Sequence, residues 1–167
     1  KPYLENFEVE KDDLENAFAN SRPSKKMINN FFFKNFKKYN INKIITFDGR
    51  RDIFLCEKAG VKFNYIKIED LQQDLNRECN YLFSLNKLGV AINFRNDASF
   101  LYSNNLKYYL HPIAARQIEP KSAAFDAARL LMVYNEFTQH KKNFLLKAAL
   151  FLNKIQLSEE SDEYIID

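Results

Sequence analysis

The spacing of apolar residues predicts helices over most of the chain and one clear buried strand. Residues 12–20 read as a short helix with Asp12 or Asp13 as its cap, and Arg22, Pro23 and Ser24 break the pattern. A second helix opens at Pro23 or Ser24 and runs to about Tyr39, with Ile28, Phe31, Phe32, Asn35 and Phe36 on one face. Asn40, Ile41 and Asn42 make a turn. Residues 43–47 are β-branched and apolar and predict a buried strand. Asp48 and Gly49 end that strand, and a helix follows over residues 51–59, closed by Gly60. Residues 66–71 lead from an extended piece into a helix near 70–77. Ser84 caps a short helix over 85–88, which Gly89 stops. Residues 98–110 fit either a hairpin around Ser103, Asn104 and Asn105 or irregular structure. A loop spans 112–120, a strong helix 121–137, and a last helix 140–155, with Phe144, Ala148, Phe151, Leu152 and Ile155 on one side.

A strand–helix unit among many helices is α/β organisation, with helices packed about a mixed sheet. Residues 1–157 read as one domain and 158–167 as a loose acidic tail. The visible strands are too few for a whole sheet, so the opening strands are expected ahead of Lys1.

Composition narrows the function classes. The 167 residues suffice for one domain with a real core. Gly49, Gly60 and Gly89 are the only glycines, so neither a dinucleotide fingerprint nor a P-loop can be built. Cys56 and Cys79 form no CxxC pair, and with His111 and His140 they cannot supply the roughly four clustered ligands of a structural zinc. Two free thiols and no leader predict a reducing, cytoplasmic setting. The apolar run 144–152 is broken by Lys147 and too short to cross a bilayer, so no membrane association is expected.

The net charge of +3 permits a nucleic-acid partner without requiring one. Its distribution is more informative. Lys25, Lys26, Lys34, Lys37, Lys38, Lys43, Arg50 and Arg51 fall in one short region, and Glu159 to Glu163 is acidic. The basic region is either solvated helix surface or a phosphate-facing edge.

Two acids stand out. Asp52 follows the buried strand at a helix start, where Gly49 leaves the backbone open. Asp126 lies early in the helix 121–137 among Ala123, Ala124, Ala127 and Ala128, which let a metal or substrate approach. Taken singly, Asp52 can act only on the helix dipole, and Asp126 can be a solvent-facing acid.

Together with their surroundings they resemble the DEDD 3′→5′ exonucleases. Ile44-Ile45-Thr46-Phe47-Asp48-Gly49-Arg50-Arg51-Asp52 is similar to the second motif of that family, closest to the sporulation-inhibitor-like branch. Ile68-Glu69-Asp70-Leu71-Gln72 resembles the segment that follows, and Ser84-Leu85 through Gly89-Val90 the next short helix. Lys121-Ser122-Ala123-Ala124-Phe125-Asp126-Ala127 resembles the third motif, His-x-Ala-x-x-Asp-Ala. Lys1-Pro2 and Asp13-Leu14-Glu15-Asn16-Ala17 resemble upstream segments. The resemblance covers roughly residues 1–137.

That resemblance implies a ribonuclease H-like fold and hydrolysis of single-stranded DNA or RNA by two Mg²⁺ or Mn²⁺ ions roughly 3.5–4 Å apart. Asp52 and Asp126 would be metal ligands, and Lys121 stands where the family has its catalytic His. Lysine is a poor base at neutral pH unless desolvated, though it can pair with a phosphate. The first motif, Asp-x-Glu, is expected ahead of Lys1. The implied activity is therefore weakened or lost, and the alternative is a non-catalytic remnant that binds nucleic acid or protein. Tyr102, Tyr108 and Tyr109 could then stack on unpaired bases. The apolar excess of Phe144, Leu145, Leu146, Leu150 and Phe151 also allows a homodimer through the C-terminal helices.

Overall fold

A computed structural model describes residues 24–97 and 99–163, with side chains through residue 154. The expected helix over 12–20 and the segments around Lys1 and Asp13 lie outside the described residues. The chain divides into two compact units, one holding residues up to 44 and 49–68, the other residues 45–48 and 69 onward.

In the first unit, Ser24 caps α1 (Lys25–Lys38) by accepting from Met27 N, which satisfies one of the unpaired donors of the first turn. Its half-buried positions are Ile28, Asn29, Phe32, Asn35 and Phe36; Phe31 faces solvent instead of joining them. Asn40 takes a left-handed φ of 49° and turns the chain toward β1 (Lys43–Thr46). Helix α2 (Arg50–Lys58) ends at Ala59 and Gly60, whose φ of 92° suits glycine alone. Phe36 and Phe63 rings pack at 6.1 Å, and Val61 is the one buried hydrophobic residue of this unit among those described. β1 pairs with β2 (Lys67–Asp70) as a two-stranded sheet, and β1 is half-buried where a buried strand was expected.

The second unit holds the core. Helix α3 (Leu71–Cys79) is capped by Asp70, whose Oδ1 accepts from Gln72 N at 3.1 Å and Gln73 N at 3.3 Å. The same carboxylate accepts from Asp48 N at 3.2 Å and Thr46 Oγ1 at 3.3 Å, so one side chain fixes both the helix start and the turn after β1. Helix α4 (Leu85–Ala91) is capped by Ser84 and continues through Gly89, which was expected to stop it. The absent side chain leaves room for a neighbour: a Cβ on Gly89 would lie 2.8 Å from Arg129 Cδ. Gly89 is there for close approach, not as a left-handed helix end.

Strands β3 (Arg95–Asp97), β4 (Phe100–Tyr102) and β5 (Lys107–Tyr109) form an antiparallel sheet, which decides for the hairpin over irregular structure. Pro112 opens a four-residue helix, α5 (Pro112–Ala115), within the expected loop, in the first-turn position where its missing N–H costs nothing. Helix α6 (Ala123–Gln139) starts after Ser122, so Lys121 lies outside it. Helix α7 (Lys141–Glu163) includes the backbone of residues 158–163. Helices α4, α6 and α7 pack on one another, with Leu75, Leu88, Ile92, Leu101, Met132, Val133, Phe144 and Ala148 buried between elements. Among the described residues the fold is thus mixed α/β, with two small sheets where one mixed sheet was expected. No helix among the described residues is long and apolar enough to cross a membrane.

One polar group sits inside this core. Glu136 of α6 is 1% exposed. Its Oε1 accepts from Ser103 Oγ at 2.6 Å and Asn105 N at 2.8 Å, and its Oε2 from Asn105 Nδ2 at 2.8 Å. A buried carboxyl group is tolerable only when so satisfied, and here all three donors come from the β4–β5 turn.

Two predictions follow from this packing. Glu136→Ala strands three donors and is expected to lower stability by about 3 kcal/mol or more, with Glu136→Gln lowering it less. Urea unfolding reads both, and a midpoint for Glu136→Ala equal to that of the parent would refute the role. Gly89→Ala is expected to destabilise although alanine gains about 1 kcal/mol over glycine in a helix. In an Arg129→Ala background the same change should stabilise. A stabilising Gly89→Ala in both backgrounds would mean that Arg129 does not fill that space.

Candidate functional site

Asp52 lies in the first turn of α2, exposed, in the first unit. The residue that turns the chain after β1 is Asp48, with φ 54°, while Gly49 has an ordinary φ of −84° and is the helix cap. Asx residues tolerate the left-handed region, so the turn was legible from Asp48 as much as from the glycine. Asp52 follows Arg50 and Arg51 in sequence.

Asp126 lies in the first turn of α6, in the second unit. Ser122 accepts from Phe125 N at 3.0 Å, and Asp126 N donates to Ser122 O at 3.1 Å. Its carboxylate already has a cation: Arg129 Nη1 is 3.3 Å from Asp126 Oδ1, with Arg129 16% and Asp126 58% exposed. The guanidinium also lies 4.9 Å from the centre of the Phe125 ring, which holds it in place. A fixed positive charge at that distance opposes a second cation on the same oxygen. Lys121 is exposed with φ 68°, ahead of the cap, and lacks the burial that a general-base lysine needs. Among the described residues, no group of three or more His, Cys, Asp and Glu side chains could hold a metal ion.

His111 caps α5, its Nδ1 accepting from Ile113 N at 3.3 Å. Both cysteines are free thiols. Burial pushes the Cys79 thiol up, Glu78 adds to the shift and Lys141 opposes it, so the thiol stays protonated at neutral pH and is a weak nucleophile. The tyrosine cluster is split by strand alternation. Leu101 and Tyr108 pair on the core side, while Tyr102 and Lys107 pair on the other. On that outer face Lys107 Nζ lies 4.2 Å from the Phe100 ring centre and 5.2 Å from that of Tyr102.

The first unit carries a different kind of surface. Its described residues hold eleven Lys and Arg against Asp52 and Glu57, a formal +9. Exposed aromatics are interleaved with these cations: Phe31, Phe33, Tyr39, Phe54 and Tyr65. Lys38 sits over Tyr39 and Lys58 over Phe54, at 4.9 and 4.6 Å from the ring centres. A cleft of about 530 Å³ opens between the end of α1 and the segment before β2, lined by Phe33, Lys37, Asn42, Lys62, Asn64 and Tyr65 among others, with no acid. Sequence reading located the cations but not the cleft. The available signal was the alternation of Phe, Lys and Asn over 29–42, repeated as Lys62-Phe63-Asn64-Tyr65. In the second unit a smaller cleft of about 360 Å³ is lined by Ser99, Tyr109, Leu110, Pro112, Ala115 and Arg116.

No protein-family model, curated protein or solved structure matches this chain.

Proposed function

We propose that this chain binds single-stranded DNA or RNA without hydrolysing it, as a non-catalytic relative of the ribonuclease H-like exonucleases. The observation that carries the reading is the +9 charge of the first unit's described residues, with exposed aromatic rings set among the cations; residues 1–23 of the same unit add three cations and six acids in sequence. Phosphate contacts by Lys and Arg release condensed counterions and supply most of the affinity. Aromatic faces add stacking, which unpaired bases offer and a duplex hides. The two features together favour a single strand over other polyanions.

The hydrolytic alternative needs Asp52 and Asp126 to hold Mg²⁺ or Mn²⁺, with Lys121 in the place of the base. Only the order and spacing of the motifs support it. The Arg129 guanidinium on Asp126 and the exposure of Lys121 weigh against it.

Labelled single-stranded DNA, single-stranded RNA and duplex, titrated with protein over a range of salt, test the proposal. Single strands are expected to bind better than duplex, equally in EDTA and Mn²⁺, and without shortening. The log of affinity should fall with the log of salt by roughly 0.7 per phosphate contacted. Lys34→Glu with Arg51→Glu should weaken binding by roughly tenfold, since charge reversal removes two phosphate partners. Metal-dependent shortening lost in Asp52→Ala and Asp126→Ala would replace this reading with the exonuclease. Absence of binding at low salt would remove it.

A further inference from the structure

We infer that the cleft of the first unit is a nucleotide subsite that takes one or two unpaired bases of the bound strand; this rests on the single-strand reading above. The volume, about 530 Å³, is in the range of pockets that enclose small ligands. Its wall is aromatic and open: Tyr65 is 93% and Phe33 64% exposed, a large departure for rings of that size. Ile41 and Ile66 add an apolar lining, and Lys37 and Lys62 supply the only formal charge there. A planar apolar face beside two cations is complementary to a base joined to a phosphate.

The polar lining sharpens the ligand class. Asn29, Asn40, Asn42 and Asn64 all line the cleft. Among the described residues none of their side-chain amides has a protein partner, whereas the Asn35 amide, outside the cleft, is taken up by Phe31 O at 2.8 Å. Part of the nearby backbone is engaged: Ile41 N donates to Phe36 O at 2.8 Å, Lys67 N to Asn42 O at 2.9 Å, and Ile66 N to Phe63 O at 2.8 Å. The side-chain amides add recognition groups beyond it. A primary amide offers a donor and an acceptor side by side, the pattern that base edges present. A lipid headgroup or a bare phosphate would use the lysines and leave four amides and two rings without a role.

The test measures binding of a fluorescein-labelled twelve-nucleotide strand by Tyr65→Ala, Phe33→Ala, Tyr65→Phe and Asn64→Ala with Asn42→Ala, beside the surface variant Lys34→Glu with Arg51→Glu. Both ring removals should weaken binding by at least about fivefold, the low end of one lost stack, with an unchanged salt dependence. Tyr65→Phe should bind like the parent, because it keeps the ring. The double asparagine variant should lose discrimination among strands of different base. These rings are exposed, so unfolding does not account for a loss, and far-ultraviolet circular dichroism checks that directly. Full binding by both ring variants, with loss in Lys34→Glu/Arg51→Glu, would overturn the subsite and leave the single-strand reading intact. No binding by the parent would end both. Displacement of the strand by an equal concentration of free nucleoside monophosphate would also overturn the inference, since the occupant would then be a free nucleotide.

Discussion

The second unit depends on one buried carboxyl group. Glu136 sits on a helix face that otherwise reads Met132, Val133 and Phe137, all buried. Its three donors all belong to Ser103 and Asn105, the turn between β4 and β5. The grip does more than satisfy the acid. It sets where the hairpin turns, and therefore which side chains of three-residue strands face the core. Leu101 and Tyr108 turn inward, and Phe100, Tyr102 and Lys107 turn outward, where the lysine lies over both rings. A slip of one residue would exchange those sets. Short strands without a glycine turn specify register weakly by themselves, so a fixed polar anchor supplies what the strand sequence lacks.

That dependence explains which parts of the fold were readable beforehand. Helices whose first turn carries a capping side chain were legible, because the cap is a local interaction: Ser24, Ser84 and Ser122 each accept from a backbone N–H three residues on. Features decided by contacts far along the chain were not. Gly89 reads as a helix stop on local grounds, whereas the helix runs on to Ala91 and the Arg129 side chain, forty residues away in sequence, packs against the glycine. The hairpin at 98–110 stayed undecided because its anchor, Glu136, is thirty-one residues from Asn105. A lone acid within an apolar helical stripe was the available clue.

The same separation applies to the resemblance that organised the chemical expectations. Several residues of its described segments have scaffold roles in this structure. Asp70 caps a helix and braces the turn after β1, Leu71 is buried, and Gln72 Nε2 donates to Phe83 O at 3.0 Å. Ser122 caps α6, and Asp126 meets Arg129, which in turn closes against Gly89. A motif whose residues are all engaged in caps and packing is evidence about local structure. It becomes evidence about chemistry only where side chains are left over, and Asp126 is accompanied by a cation, Arg129. The positions that sequence reading singled out, Asp52, Asp126 and Lys121, therefore carry less of the functional argument than the unpaired asparagines and rings that it passed over.

The charge pattern points the same way for an independent reason. The first unit concentrates +9 in its described residues and buries one hydrophobic side chain, Val61, among them. Like charges gathered in these residues repel one another. Nothing in helix packing calls for this arrangement: α1 has no acid to pair its lysines at helical spacing, and its Phe31 and Phe33 face solvent. A polyanion that binds the folded unit and not the unfolded chain reverses the balance, adding stability in proportion to RT ln(1 + [L]/Kd). On the proposed function, repulsion among these residues in the free unit would become a source of affinity in the complex, and their basic, aromatic surface would be explained by a strand lying across it.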